Sequence, residues 1–363
     1  MPIDFNSMSL WMLGAIFAAA ALVVWLAGTR LVGLVDGVST KTGLGQAFTG
    51  MLLLGGITSL PELAAVSTSA AVGNAPLAVN NLLGTASINL VLLAVADIIY
   101  GRDALTSVAA KPATLMQGVL SMLLASGVAM IATAGDVSIL GVGAGSTGLA
   151  LACAAALWIS SNFEHRHVWE VVGGDEQTQA GRDREGAGGD DDEQDDQRNG
   201  QGTHSWTLRK LVFATVIVAA IILVGGFFLS TSADIIATKT GLASGIVGFL
   251  LVGLSTSLPE ISSVTAAIRL RRYDMAVGDI FGTNLFNIAL IFLADVIYVG
   301  EPVLSLAGRF ELIGAILAII LTGVFVIGLL ERRNRTILHM GFDSLASLLI
   351  FAGGVFMLIQ VSG

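Results

Sequence analysis

The sequence predicts an all-α polytopic membrane protein of ten transmembrane helices, built as two inverted five-helix repeats in which helices 2 and 7 are broken. Three observations lead to this prediction. Of the 363 residues, 54% are hydrophobic and 12% are charged, which is about half the charged fraction of a soluble domain. Many apolar stretches reach the ~20 residues that span a bilayer. A pattern of polar residues inside these stretches occurs twice.

The repeat is defined by a Thr-Ser-Leu-Pro-Glu motif at 58–62 that returns at 256–260, an offset of 198 (256 − 58). The same offset relates other polar and glycine residues, and no gap is needed. These are Asp36 with Asp234, 40–44 with 238–242, Gly84-Thr85 with Gly282-Thr283, Asn89 with Asn287, and Asp97 with Asp295. Two apolar helices do not acquire so many matched polar residues at one spacing by chance, so we infer a duplication.

The hydrophobic runs place five spans in each half of the chain. The expected spans are 9–28, 43–72, 77–100, 113–134 and 139–159, followed by 211–230, 241–268, 275–298, 312–330 and 342–359. Span 2 is interrupted by Gly55-Gly56 and Pro61, and span 7 by Pro259, because proline breaks the helical hydrogen-bond ladder. The predicted domains are a first half at 1–160, a linker at 161–207 and a second half at 208–363.

The linker is strongly acidic and lacks hydrophobic periodicity. It holds 12 of the 27 acidic residues, with a dense run at 190–196. This composition predicts a disordered, solvated segment. A weak Ca²⁺-collecting or regulatory role is the alternative, although the spacing of the acids does not form an EF-hand loop.

Basic residues predict the orientation in the membrane. With ten spans, 16 of the 18 lysines and arginines fall in the loops on the linker's side, and 13 remain when the three deep in the linker are discounted. The positive-inside rule then places the linker in the cytoplasm and both termini outside, in the plasma membrane. Five spans per half is an odd number, so the two halves insert in opposite orientations, and such repeats bind substrate near the midplane.

The repeated motif predicts an oxygen-rich site at membrane depth. Glu62 and Glu260 are carboxylates inside apolar runs, which is costly and indicates function. Threonine and asparagine residues four positions apart share a helix face with each other or with these glutamates. The candidate ligands are Glu62, Glu260, Thr58, Ser59, Thr256, Ser257, Thr85, Asn89, Thr283 and Asn287. Two ionised glutamates would balance one Ca²⁺ or two Na⁺, and these hard cations prefer oxygen ligands. The alternative for the hydroxyls and amides is that they only join helices.

Two motifs carry a resemblance to a known family. The pattern G-T-S-L-P-E corresponds to ITSLPE at 57–62 and STSLPE at 255–260, and G-N-x-x-G-S-N-x-x-N corresponds to GDIFGTNLFN at 278–287 and, more weakly, to NNLLGTASIN at 80–89. The chain resembles the calcium/cation antiporter superfamily, whose sodium/calcium exchangers carry two inverted α-repeats. The resemblance implies a ten-helix exchanger that moves Ca²⁺ against Na⁺ by alternating access, with the ten candidate ligands above at its cation site. Asp279 stands where the family pattern has Asn. Asn287 stands where some sodium/calcium exchangers have Asp, which implies two fixed charges at the centre.

Other functions remain open from the sequence. A cation/proton or K⁺-coupled antiporter would use the same glutamates, and a cation channel could share the oxygen-lined site. An intramembrane hydrolase using Ser59 or Ser257 is disfavoured because the duplication is symmetric, so we expect no enzyme and no cofactor. The expected partners are small cations and the lipid bilayer, with no nucleic acid, and protein partners are left open. Asp97 and Asp295 fit a helix-end role as well as a transport role.

Overall fold

The computed structural model describes residues 5–71, 73–100, 105–109, 112–163, 206–240, 253–331, 336–337 and 340–362. Nearly all of these residues are helical. Within these ranges, eight helices are long and apolar enough to cross a membrane, and a bent helix pair makes a ninth if it is counted as one span. The acidic run of the predicted linker and the start of predicted span 7, at 241–252, lie outside the described residues.

The first half contains seven helices and a short β-hairpin. After a 3₁₀ turn at Phe5–Ser7, the elements are α1 Leu10–Thr42, α2 Gln46–Thr58 with a π-helical turn at Gly50–Leu54, α3 Leu60–Ala71, α4 Ala75–Tyr100, α5 Leu105–Val108, α6 Pro112–Ala134, β1 Ser138–Ile139, β2 Val142–Gly143 and α7 Ala144–Phe163.

The second half follows a closely similar order. Its elements are α8 Leu208–Thr240, α9 Gly253–Thr256, α10 Leu258–Arg269, α11 Tyr273–Ile297, a 3₁₀ turn at Val303–Leu306, α12 Arg309–Glu331, β3 Thr336–Ile337, β4 Met340–Gly341 and α13 Phe342–Ser362. In each hairpin the two strands pair antiparallel.

The surface and the interior have the polarity of a membrane protein. Large apolar side chains face outward, and Trp11 and Phe213 are 90% and 68% exposed. Hydroxyl, amide and carboxylate groups lie inside, many of them on α4, α10 and α11. Lipid solvates the apolar exterior, and backbone groups are satisfied within helices. The chain is therefore an integral, multi-pass membrane protein.

Helices α1 and α8 are longer than the sequence suggested, with 33 residues each instead of the predicted 20. At 1.5 Å per residue each is about 50 Å long, so it exceeds the hydrocarbon core. They pack side by side and antiparallel, because Leu211 at the start of α8 contacts Leu34 and Val38 near the end of α1. At the opposite ends, the Lys239 ammonium donates to the Met8 carbonyl at 2.5 Å.

Span 5 was predicted to start at residue 139, but α7 starts at Ala144. The apolar residues before it form the β1–β2 hairpin, in which Leu140 and Gly141 have positive φ values of 56° and 88°. Asp136 then accepts hydrogen bonds from the N–H groups of Gly145 and Ser146 at 2.7 and 3.1 Å, which satisfies the first turn of α7.

The two halves exchange matched contacts at the ends of α4 and α11. Asp97 accepts hydrogen bonds from the Leu105 and Gly341 N–H groups and from the Ser344 hydroxyl, each at 2.6 Å. Asp295 does the same with Val303, Gly143 and Ser146, at 2.8, 2.5 and 2.6 Å. Every partner of Asp295 lies 198 positions from the corresponding partner of Asp97. Both aspartates thus anchor a hairpin of the other half, which is a structural role.

Candidate cation-binding site

Each copy of the motif lies at a break between two helices. The break falls at Ser59 between α2 and α3, and at Ser257 between α9 and α10. These serines have nearly identical backbone angles, with φ −75° and ψ 1° at Ser59 and φ −80° and ψ 3° at Ser257. The helix axis bends by 43° at the first break. Pro61 and Pro259 sit just after the breaks, in the first turn of α3 and α10, where a missing N–H costs nothing.

Glu62 and Glu260 lie one residue beyond these prolines, and both are fully buried. Among the described residues, none of their four carboxylate oxygens has a hydrogen-bond partner. Glu62 lies beside Thr256 of the other copy, and Glu260 lies beside Thr58. Each glutamate is in the first turn of its helix, where the helix dipole favours a negative charge. The dipole is worth about 1 kcal/mol and does not offset the burial of two carboxylates.

The hydroxyl groups of the motif surround the glutamates. The Thr58 hydroxyl lies 3.0 Å from the Leu54 carbonyl and 3.2 Å from the Thr283 hydroxyl. Ser59 donates to the Gly55 carbonyl at 2.6 Å, and Thr256 donates to the Gly253 carbonyl at 3.2 Å. A hydroxyl that donates its proton to the backbone keeps lone pairs for a cation. The hydroxyls of Thr85 and Ser257 are buried without a partner among the described residues.

Each broken segment packs against the polar helix of the opposite half. Gly55 lies against Thr283 on α11, since a Cβ placed at Gly55 would be 2.7 Å from the Thr283 nitrogen. The matched Gly253 lies against α4, since a Cβ placed there would be 2.8 Å from the Ile88 Cδ1 and 3.8 Å from the Thr85 nitrogen and hydroxyl. The fold therefore brings residues from both copies of the motif into one buried region.

The two asparagines lie on the same buried helices, one turn from the threonines. Asn89 donates to the Asn284 side-chain oxygen at 3.2 Å, and its own side-chain oxygen has no partner among the described residues. Asn287 is 1% exposed, and both of its amide atoms are without partners in the described part of the chain. It lines a narrow gap between α4, α6, α11 and α12, together with Asn284, Ser121 and Thr322.

Asp279 is a site residue that the sequence reasoning missed. It is fully buried, its Oδ1 lies 3.3 Å from the Thr58 hydroxyl, and its Oδ2 accepts a hydrogen bond from Ser263. The sequence signal was available, because a carboxylate inside a long apolar helix indicates function. The expectation of two fixed charges is thus incomplete, since a third carboxylate lies beside the centre.

The chemistry of this region suits hard cations. Its polar groups are carboxylate, hydroxyl, amide and carbonyl oxygens, and no Lys or Arg among the described residues pairs with the three carboxylates. The described residues contain no cluster of three or more His, Cys, Asp or Glu side chains arranged to hold a metal ion. Hydroxyl and carbonyl oxygens would therefore complete the coordination of a cation, as is common for Ca²⁺ and Na⁺.

Broken helices around an acidic, oxygen-lined centre are typical of secondary transporters. The family model described as sodium/calcium exchanger protein matches residues 12–161 and again residues 210–360. The chain therefore belongs to the sodium/calcium exchanger family, which is a family of antiporters and not of enzymes.

Individual relatives agree with this assignment. The chain is 26% identical over 301 residues to the inner membrane protein YrbG of Escherichia coli K12, covering 82% of this chain and 81% of YrbG. It is 32% identical over 82 residues to the sodium/calcium exchanger MaX1 of Methanosarcina acetivorans, and over 123 residues to CaxA of Alkalimonas amylolytica. These two matches cover only 23% of MaX1 and 38% of CaxA.

Solved structures of the sodium-calcium exchanger NCX_Mj share the fold. The structure soaked with 2.5 mM Na⁺ and 0.1 mM Sr²⁺ superposes with a TM-score of 0.68 at 14% identity, over 96% of this chain and 99% of NCX_Mj. The structure soaked with 2.5 mM Na⁺ and 0.1 mM Ca²⁺ gives a TM-score of 0.66.

Proposed function

We propose that this protein is a secondary active antiporter that exchanges Ca²⁺ for Na⁺ by alternating access at the site containing Glu62 and Glu260. One observation carries the proposal: both glutamates are fully buried, and their four oxygens lack hydrogen-bond partners among the described residues. An unpaired carboxylate in a membrane interior is too costly to keep unless a cation or a proton occupies it during function. The ligands are the ten residues selected from the sequence.

The proposed architecture is ten spans in two inverted halves, 1–160 and 208–363, joined by the linker 161–207. Two observations support it. The matched helices α1 and α8 lie antiparallel in contact, and the matched Asp97 and Asp295 make matched bonds across the halves. If the two halves are inverted copies, each half can adopt the conformation of the other, and the site then opens to one face of the membrane at a time. We place both termini outside and the linker in the cytoplasm, in the plasma membrane.

A transport assay with several counter-ions tests the function. Purified protein is reconstituted into proteoliposomes, and ⁴⁵Ca²⁺ uptake is measured against an outward gradient of Na⁺, K⁺ or H⁺ in turn. We expect uptake to require the Na⁺ gradient and to stop when a Na⁺ ionophore removes it. Uptake driven only by an H⁺ or a K⁺ gradient would show that the protein is a cation/proton or a K⁺-coupled antiporter instead. Uptake without any counter-gradient would indicate a channel.

The orientation is tested separately from the transport reaction. Cys153, the only cysteine, is buried, so it can be replaced by Ala and single cysteines introduced at the two ends of the chain and in the linker. A membrane-impermeant maleimide applied to intact cells should label the terminal cysteines and spare the linker cysteine. The reverse labelling pattern would overturn the assigned orientation.

A further inference from the structure

The second half of the chain holds a group of polar residues one helical turn from the central site. Ser263 follows Glu260 by three residues on α10, and Asp279 precedes Thr283 by four residues on α11. Ser263 and Asp279 therefore both lie nearer than the central ligands to residues 270–272, which connect α10 and α11. One turn corresponds to about 5 Å, so this group is adjacent to the candidate ligands but offset from them toward one membrane face.

The contacts within this group bring hydroxyl, carboxylate and carbonyl oxygens close together. Ser263 donates to Asp279 and lies 3.1 Å from the Glu260 carbonyl, while the Thr58 hydroxyl lies 3.3 Å from Asp279. Ser263 and Asp279 are both fully buried. Glu260, three residues before Ser263 on α10, adds a second indication of a ligand, since its buried carboxylate oxygens have no hydrogen-bond partner among the described residues.

The first half of the chain does not repeat this group. The residues matched to Asp279 and Ser263 are Asn81 and Ala65, which carry no charge and no hydroxyl. They line a small crevice of about 90 Å³ between α3, α4 and α8. The duplication therefore supplies two symmetric glutamates and one asymmetric aspartate, and only the second half offers a third negative charge.

Charge balance indicates what this third carboxylate binds. Glu62 and Glu260 together neutralise one Ca²⁺. Asp279 adds one further carboxylate, with no basic partner among the described residues, and a buried carboxylate of this kind takes up either a cation or a proton. One carboxylate, two hydroxyls and a carbonyl form too small a ligand set for Ca²⁺, which takes six to eight oxygens. They fit a single monovalent cation.

We propose that Asp279, Ser263 and Thr58 form a monovalent cation subsite that binds one of the Na⁺ ions exchanged for Ca²⁺. This inference rests on the proposed Na⁺/Ca²⁺ exchange and assigns a ligand, Asp279, that has no matching acid in the first half of the chain. The ion site is then asymmetric, because the additional Na⁺ lies beside α10 and α11 of the second half.

Equilibrium binding separates this subsite from the central site. Purified protein in detergent is loaded with ⁴⁵Ca²⁺, and the bound label is displaced with increasing NaCl at constant ionic strength in choline chloride. Asp279→Asn and Ser263→Ala are the test variants, and each introduces a side chain that the chain itself carries at the matched position. Glu301→Gln removes an acid from an exposed loop and serves as the control.

We expect Asp279→Asn to raise the half-displacing Na⁺ concentration about tenfold, as for the loss of one charge-assisted contact. The Hill coefficient for Na⁺ should fall, because its upper limit is the number of Na⁺ sites and the variant loses one of them. The Ca²⁺ affinity should fall by a clearly smaller factor than the Na⁺ affinity, because Glu62 and Glu260 keep their charges. Ser263→Ala should shift the Na⁺ curve in the same direction by a smaller factor, and Glu301→Gln should match the wild type.

Other outcomes overturn the inference in distinguishable ways. Wild-type displacement curves for both test variants would show that Asp279 does not bind Na⁺. An equal loss of Ca²⁺ and Na⁺ affinity would show that Asp279 maintains the shape of the whole site and does not bind Na⁺ specifically. In both cases Na⁺/Ca²⁺ exchange itself stands. Failure of Na⁺ to displace Ca²⁺ from the wild-type protein would instead overturn the proposed function, and the subsite with it.

Discussion

The side-chain amide of Asn284 donates a hydrogen bond to the backbone carbonyl of Ala86 at 3.2 Å, and these two residues occupy matched positions in the repeat (284 − 86 = 198). Matched residues of the two copies therefore touch each other at the point where helices α4 and α11 cross. Thr85 and Thr283 lie one residue before this crossing, and Asn89 and Asn287 lie about one turn after it, so candidate ligands of both halves come together here.

Close packing at the first break should make Gly55 intolerant of substitution. A Cβ at Gly55 would approach the Thr283 nitrogen at 2.7 Å, the Gly282 carbonyl carbon at 2.9 Å and the Asp279 oxygen at 3.0 Å. All three are backbone atoms and cannot rotate away, so α2 would have to move off α11. We expect Gly55→Ala to lower stability by about 1–3 kcal/mol, as overpacking does, and to reduce transport sharply. Thermal unfolding in detergent and ⁴⁵Ca²⁺ uptake measure the two effects.

The matched glycine provides an internal comparison for this prediction. At Gly253 the nearest atom to an added Cβ is the Ile88 Cδ1 at 2.8 Å, the end of a side chain that can change rotamer. Gly253→Ala should therefore cost less than Gly55→Ala. Gly33→Ala, with no atom within 4 Å, should be neutral. Equal effects at Gly55 and Gly33 would contradict the packing described at the break.

The two buried glutamates should be essential for exchange and dispensable for folding. Glu62→Gln and Glu260→Gln keep the side-chain shape and remove the charge that offsets dehydration of the cation. Removing one partner of a buried charge pair costs about 3–5 kcal/mol, so each variant should lose at least about 100-fold in Ca²⁺ exchange. Exchange by proteoliposomes, normalised to the amount of monodisperse protein, measures this loss. Glu301→Gln, in an exposed loop, should exchange normally, and wild-type rates in both glutamate variants would exclude the proposed site.

Asp295 should affect stability and leave ion selectivity unchanged. Its carboxylate accepts three hydrogen bonds from Val303, Gly143 and Ser146, at 2.5 to 2.8 Å. Asparagine offers one acceptor oxygen and turns an NH₂ group toward donors, so Asp295→Asn should lose on the order of 3 kcal/mol. The matched Asp97→Asn should behave in the same way. A lower unfolding temperature with unchanged Ca²⁺ and Na⁺ dependence is expected, and a changed Na⁺ dependence at wild-type stability would point to a transport role.

Sequence reasoning identified the family, the helical class and the breaks because these depend on local features. Apolar runs, prolines and matched polar residues are visible without the fold. The ends of α1 and α8 were missed because polar residues such as Asp36 and Lys41 end the apolar run while the helix continues. Arg272 pairs with Asp36 at 2.8 Å, and that contact between distant residues supports the extension.

Asp279 was missed for a different reason. A comparison of the two copies selects positions where both carry the same residue, and the pair Asn81 and Asp279 differs. Comparing the two copies therefore identifies ligands that both halves share and overlooks Asp279, which only the second half carries. Likewise, Asp97 and Asp295 could not be assigned from sequence, because their partners on the hairpins come together only in the fold.

Asn287 gives the final prediction. Its amide is buried without a hydrogen-bond partner among the described residues, in a gap shared with Asn284, Ser121 and Thr322. Asn287→Asp keeps the volume and adds a charge, and an unpaired buried charge costs several kcal/mol. A cation that reaches this position would offset that cost. We therefore expect the variant to unfold at a lower temperature than the wild type in ion-free buffer and to approach it in saturating Ca²⁺ or Na⁺, because ligands that bind the native state stabilise it.

The same variant should change the ion dependence of exchange more than its folding under saturating ions. Initial rates of ⁴⁵Ca²⁺ exchange, measured against Na⁺ concentration for both proteins, should show a shifted midpoint. Asn162→Asp, which adds an acid at an exposed position on α7, controls for net charge and should leave both the unfolding temperature and the midpoint unchanged. If Asn287→Asp lowers stability equally with and without ions, and its Na⁺ curve matches the wild type, then Asn287 does not face the cation. Its match to Asn89 would then reflect the packing of α4 and α11 around their crossing.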